Sequence, residues 1–214
     1  MNNLTTLYIV RHGESEVNAR LAKGDVIQTG DYAELGPPLT ENGRIQARSA
    51  ASKLKHVRFD AAFSSDLLRA KETAEIITLE KNIAVNTTRA IRETHEGSDE
   101  GKWHRNFEKI QEEIKKLVEE EKMNFRFEDA ETEEEAVSRL ITFVREVAVG
   151  YAGKTVLIVC HGNIMRMFLI KLGFATYDEL PPKHIENTGY FVLQSDGVDF
   201  FIKEAHGVHK VQTN

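Results

Sequence analysis

Two short apolar runs, far apart in the chain, each stop at a histidine followed by a glycine. Leu7-Tyr8-Ile9-Val10 runs into Arg11-His12-Gly13, and Thr155-Val156-Leu157-Ile158-Val159-Cys160 runs into His161-Gly162. Apolar, β-branched runs of this length fit strands buried on both faces of a sheet. The segments between them have helical apolar spacing. Long helices between buried strands imply an α/β layered sheet. In such sheets the crevice at the strand C-termini is the usual ligand site, and both histidines open into it.

The remaining segments fit the same pattern. Thr40 caps a helix start at Leu39-Thr40-Glu41-Asn42-Gly43, with Ile45, Ala50 and Leu54 along one face. Residues 60–64 read as a short strand, and 67–79 as a helix with Ser65 or Asp66 as its cap. From Thr87 to Trp103 the chain is polar, glycine-punctuated and aperiodic, which reads as mostly loop. His104 to Lys122 carries Phe107, Ile110, Ile114, Leu117 and Val118 on one stripe, an amphipathic helix. Six acids occupy the eight positions from Glu128 to Glu135. Thr132 and Glu135 have capping-box spacing, so this run reads as the start of a helix continuing through Ala148. An acidic metal- or protein-binding patch is the sharper alternative. A helix through 164–172 follows the second histidine, and 189–194 with 198–205 form a hairpin around Ser195-Asp196-Gly197.

Composition narrows the function classes. With 214 residues and 41% hydrophobic content, the chain can build one sizeable core, so a single domain over 1–214 is expected. Lys and Arg total 28 against 34 Asp and Glu, a formal charge of −6. That balance argues against a nucleic-acid partner, which needs a basic face to displace counterions. The single cysteine, Cys160, excludes an intramolecular disulfide and a thiolate zinc cage, and reads as a packing residue. No leader pattern opens the chain and no apolar run is long enough to cross a bilayer, so a cytoplasmic location without a membrane partner is expected. His206 and His209, two imidazoles without placed carboxylates, read as a solvated tail rather than as metal ligands.

The chemistry-bearing residues converge. Arg11 is a permanent cation beside His12, and Arg69 lies on the first turn of the helix after another strand. Two arginines and two histidines around one crevice suit a phosphoryl dianion, because guanidinium forks pair with phosphate oxygens bidentately. These residues resemble the histidine phosphatase superfamily, the phosphoglycerate-mutase-like proteins. Leu7 to Asn18 resembles its first block, and Pro38-Leu39-Thr40 with Gly43 and Gln46-Ala47 its second. Ser64-Ser65 through Leu67, Arg69, Ala70, Thr73 and Ala74 resembles its third block, and Val156 to Arg166 its last. The weakest match lies between Thr87 and Met123.

The resemblance implies a three-layer α/β/α fold with a central, mostly parallel sheet, and a histidine-acid-type phosphatase acting on a small phosphorylated substrate. His12 would attack phosphorus and form a phosphohistidine. Arg11, Arg69 and His161 would hold the equatorial oxygens, with Asn18 as a further hydrogen-bond donor. Ile91-Arg92-Glu93, followed by Gly97 and Glu100-Gly101, fits the loop that carries the family's general acid. Glu93 is therefore the expected acid and later base, with Glu96 and Glu100 as fallbacks. No metal and no other cofactor are expected, since the arginines supply the positive charge.

Related mutases have the form Glu-Arg-His-Tyr-Gly after the acid, whereas this chain reads Glu93-Thr94-His95-Glu96-Gly97. The arginine and tyrosine are absent and an acid is added, which favours a phosphatase. A cofactor-dependent phosphoglycerate mutase is the alternative, since Ser15 and Asn163 resemble the mutase version. A non-catalytic phospho-ligand binding protein is the second alternative. Asp66, where many relatives have proline, would either weaken the positive potential near Arg69 or cap its helix. Residues 25–36 align poorly, so Thr29 and Gly30 carry no assigned role. Residues 87–123, offering Trp103, Phe107 and His95, are expected to act as a lid and specificity segment.

Overall fold

The computed structural model describes residues 4–24, 34–97 and 100–212, the side chains of 100–105 and 120 excepted. In chain order the first half comprises β1 (Thr5–Arg11), α1 (Glu16–Ala22), α2 (Glu41–Lys53), β2 (Ala61–Ser65), α3 (Leu68–Thr78) and β3 (Val85–Thr88), then a 3-10 turn (Arg89–Ile91). The second half comprises α4 (Glu100–Lys116), α5 (Glu119–Lys122), α6 (Glu133–Gly150), β4 (Thr155–Cys160), α7 (Gly162–Lys171), β5 (Ile185–Ser195) and β6 (Phe200–Val208).

The strands form one six-stranded mixed sheet in the order β3-β2-β4-β1-β5-β6. Pairing is parallel from β3 through β1. It turns antiparallel at β5 and β6, as expected for the terminal hairpin. The two central strands divide their side chains by alternation. Leu7, Ile9, Val156 and Ile158 face a core shared with Val137, Leu140 and Val144 of α6 and Phe168 of α7. Val10, Leu157 and Val159 face a second core with Ala50 and Leu54 beside Ala70, Ala74 and Ile77 of α3. Helices thus cover both faces, and the expected three layers are present.

Several local expectations need correction. On α2 the buried positions are Gly43, Ala47 and Ala50, whereas Ile45 is 55% exposed. The helix is rolled to press Gly43 against the loop after β1, where an added Cβ would sit 2.0 Å from the Glu14 carbonyl oxygen. Neither Ser65 nor Asp66 caps α3, whose N-cap is Leu67 without a side-chain bond. The stretch read as loop from Thr87 holds the end of β3 and the 3-10 turn. The helix read over 104–122 begins earlier, at Glu100, and breaks after Lys116. Val118 is extended there, and the short α5 turns Lys122 onto the Tyr177 ring at 5.3 Å and buries Met123. His206 belongs to β6, stacked on Tyr190 at 4.7 Å, and so is not part of a tail. Among the described residues no helix is long and apolar enough to cross a membrane.

Candidate active site

The parallel register brings the two histidines together. Arg11 lies opposite Cys160 across β1 and β4, and the His12 N–H donates to the Cys160 carbonyl at 3.0 Å. Their imidazoles therefore leave adjacent strands at one height, with ring centroids 5.1 Å apart. Arg69 follows β2 on the first turn of α3, and Glu93 follows β3 and its 3-10 turn. Each of the parallel strands delivers a group to the same crevice, as strand C-termini in such sheets do.

His12 is 3% exposed. Its Nδ1 lies 2.6 Å from the Gly13 carbonyl; a carbonyl only accepts, so Nδ1 carries the hydrogen and Nε2 the lone pair. Arg69 Nε donates to that Nε2 at 3.2 Å. Burial, then the neighbouring Arg69 and Arg11 charges, hold the His12 pKa well below the ordinary imidazole value. His161 is fully buried and shifted the same way, by burial first and then by Arg69 and His12. Neither of its ring nitrogens has a hydrogen-bond partner, and neither does Arg11 Nε. The other end of the Arg11 guanidinium is tied to the Ile185 carbonyl. Burial lowers the Arg11 pKa, with Glu93 acting against it. Buried polar atoms without protein partners are costly; Arg11 lines the cavity beside His12 and Arg69, whereas His161 lies behind them and is not part of its lining.

The two glycines serve close approach, each in its own way. A Cβ on Gly162 would meet Arg11 Nε at 2.9 Å, and one on Gly13 would meet the Gly43 carbonyl oxygen at 2.5 Å. The first admits the guanidinium, the second admits backbone.

Glu93 sits at the start of α7. Its Oε2 accepts from Asn163 N at 3.0 Å, and its Oε1 from Ile164 N at 3.0 Å and Thr94 N at 3.1 Å. A carboxylate suits that end of a helix, and the N-cap residue, His161, makes no side-chain cap of its own. Asn18 lines the cavity, but its Oδ1 accepts from Ser15 N at 3.2 Å and so closes the box that starts α1. Glu96 also lines the cavity, while the side chains of Glu100 and Trp103, and residues 25–33 with Thr29 and Gly30, lie outside the described residues. Cys160 is fully buried, and burial pushes its thiol pKa far up, in keeping with packing.

Three supporting residues had no role assigned from the sequence. Asn187 Nδ2 donates to the His12 carbonyl at 3.1 Å. Thr73 accepts from Gly13 N at 3.0 Å. Arg139 donates to the Ala90 and Glu93 carbonyls at 2.9 and 3.0 Å while pairing with Glu131 at 2.8 Å. Thr73 stood inside a recognised block; Arg139 and Asn187 carry no local signal.

The cavity above these groups measures about 690 Å³, and Phe107 and Gln111 of α4 reach its wall. The arginines of the wall are paired with carboxylates. Arg92 grips Asp66 through two bonds of 2.7 Å, Arg89 pairs with Glu34, and Arg166 lies 3.3 Å from Glu133. Asp66 thus neutralises Arg92 instead of capping α3, and the Arg92 hydrogen bonds hold its pKa below the usual range. The acidic run is likewise spent internally. Besides Glu131 and Glu133, Glu134 pairs with Lys171 at 2.7 Å and Glu135 with Arg126 at 2.6 Å. Among the described residues no cluster of three His, Cys, Asp or Glu could hold a metal ion.

The chain is similar to known proteins. The profile of the histidine phosphatase superfamily (branch 1) matches residues 7–206. Phosphoserine phosphatase 1 of Hydrogenobacter thermophilus is 32% identical over 177 residues, covering 79% of this chain and 77% of that protein. Phosphoglycerate mutase-like protein 4 of Arabidopsis thaliana is 30% identical over 164 residues, covering 75% of this chain and 67% of that one. The structure of YhfR from Bacillus stearothermophilus superimposes with a TM-score of 0.74 at 27% identity, covering 92% of this chain and 95% of that one.

Proposed function

This chain belongs to the histidine phosphatase superfamily, and from that membership we propose that it is a metal-independent phosphomonoester hydrolase working through a phosphohistidine on His12. The observation that carries the reading is the state of His12: a neutral imidazole, its Nε2 lone pair beside Arg69, next to buried Arg11 and His161 atoms that lack protein partners. Nε2 attacks phosphorus in line, the P–O bond to the alcohol breaks, and the alkoxide takes a proton from Glu93, which enters this step as the protonated acid. Water then gives that proton back to Glu93 as it attacks the phosphohistidine, releasing inorganic phosphate and free His12. Arg11, Arg69 and His161 hold the equatorial oxygens, where charge must be stabilised throughout. Asn18 offers its amide nitrogen to the same group. In this reading 87–123 is the lid, because α4 supplies Phe107 and Gln111 to the cavity wall.

The test is turnover of p-nitrophenyl phosphate and 3-phosphoglycerate, with chelator present, by wild type and His12→Ala. Phosphate release that requires His12 is expected. Isomerisation of 3-phosphoglycerate without net phosphate release, dependent on a bisphosphoglycerate primer, would make the protein a mutase. Phosphate release undiminished in His12→Ala would end the phosphohistidine mechanism.

A further inference from the structure

Lys183 stands apart from the other cations of the cavity wall. It lies in the turn Pro181-Pro182-Lys183-His184 leading into β5, at φ +71°, a left-handed conformation that a lysine rarely adopts. Its ammonium sits 5.3 Å from the centre of the Phe107 ring on α4. Arg89, Arg92, Arg139 and Arg166 on the same wall each face a carboxylate. Lys183 has none among the described residues, and the aromatic ring is its one partner there.

Position gives this cation a use. Two residues on, the Ile185 carbonyl accepts from Arg11, and Cα atoms two apart lie within about 7.6 Å of each other. Lys183 is therefore anchored close to the phosphoryl cradle, yet on the side of the cavity built by the turn before β5 and not by the 93–97 loop. Glu96 lines the cavity from that loop. A single uncompensated ammonium matches a singly charged carboxylate; a second phosphoryl dianion would call for the paired cations that Arg11 and Arg69 provide. An ammonium resting on a ring exchanges that contact readily for a charge-assisted hydrogen bond.

We propose that Lys183 is a specificity-determining residue that binds a carboxylate on the alcohol part of the substrate, making the preferred substrates phosphorylated hydroxy acids. This rests on the phosphatase reading above. The experiment compares kcat/KM for 3-phosphoglycerate with that for glycerol 3-phosphate, which lacks the carboxylate. Wild type should favour 3-phosphoglycerate by about tenfold, the worth of one such bond. The preference should vanish in Lys183→Met, mainly through KM, and return in Lys183→Arg. A preference unchanged by Lys183→Met overturns the proposal. Hydrolysis of p-nitrophenyl phosphate by wild type, lost in His12→Ala, checks the phosphatase reading separately. If no phosphomonoester is turned over, the same two compounds are titrated calorimetrically, and an affinity ratio that Lys183→Met leaves unchanged again overturns the assignment.

Discussion

At the floor of the cavity, Arg11 Nε and both ring nitrogens of His161 are buried without protein partners, whereas at its wall Arg92 grips Asp66 twice at 2.7 Å and Arg139 grips Glu131 at 2.8 Å. The floor is positioned by main-chain geometry: strand register, the Cys160 and Gly13 carbonyls, and Asn187 on the His12 carbonyl. Arg11 Nε is thereby left for a group from outside. The wall is positioned by side-chain pairs, which hold the 89–95 segment in place and cancel one another's field. Arginines in the two regions thus do different work. An arginine tied to a carboxylate shapes the cavity, whereas Arg11, tied to the Ile185 carbonyl, keeps its charge for a ligand.

That contrast can be broken by comparing variants. Arg69→Ala, at the floor, should lower kcat/KM on p-nitrophenyl phosphate by about 10²–10³-fold, the usual cost of removing a donor aimed at developing charge. Glu93→Gln should slow alkyl phosphates by about 10²-fold and aryl phosphates much less, because aryl leaving groups need little protonation. Equal slowing would remove Glu93 from the acid role.

Next in size come the effects of pH. His12 and His161 are buried with pKa values well below the ordinary one, while unfolded imidazoles take up protons near pH 6.5. Below that pH the unfolded state binds more protons, so stability must fall as pH drops, by up to about 1.4 kcal/mol per pH unit for each group. Urea unfolding between pH 7 and 5 reads this slope, and His161→Asn should reduce it. The acid limb of kcat/KM should lie below pH 6.5 for the same reason.

The smallest effect belongs to the wall. Asp66→Asn should cost about 1–2 kcal/mol of stability with kcat/KM on p-nitrophenyl phosphate within about threefold of wild type. The Asp66 pKa is depressed chiefly by the Arg92 hydrogen bonds. Its contribution is therefore present above the ordinary aspartate pKa of about 3.9 and is lost as pH falls through the lower folded value. Acid unfolding of Asp66→Asn should lack that component. Should Asp66→Asn cripple turnover as severely as Arg69→Ala, floor and wall would not differ as described.

The floor was legible in the sequence because its determinants are local. β1 and β4 are apolar on both faces, and each stops at a histidine followed by glycine. Arg69 falls at a fixed offset after β2. β3 escaped because it is four polar or half-exposed residues at a sheet edge, Val85–Thr88, with no burial to impose a pattern. The break between α4 and α5 has no glycine or proline to announce it. Ile45 was assigned inward by spacing, but the roll of α2 is decided by contact with a loop distant in sequence. Arg139 and Asn187 act on groups 46 and 175 residues away, a relation that exists only after the sheet has formed.

Gly43 carries a consequence of its own. Its α-carbon leaves no room beside the Glu14 carbonyl oxygen, at 2.0 Å from an added Cβ, and Gly13 is crowded from the other side by the Gly43 carbonyl oxygen, at 2.5 Å. The first turn of α2 and the peptide that holds His12 are thus wedged together as one part. In a saturation scan of this gene, codon 43 would tolerate no replacement, and its profile would look like that of a reactive residue although it has no side chain with which to react.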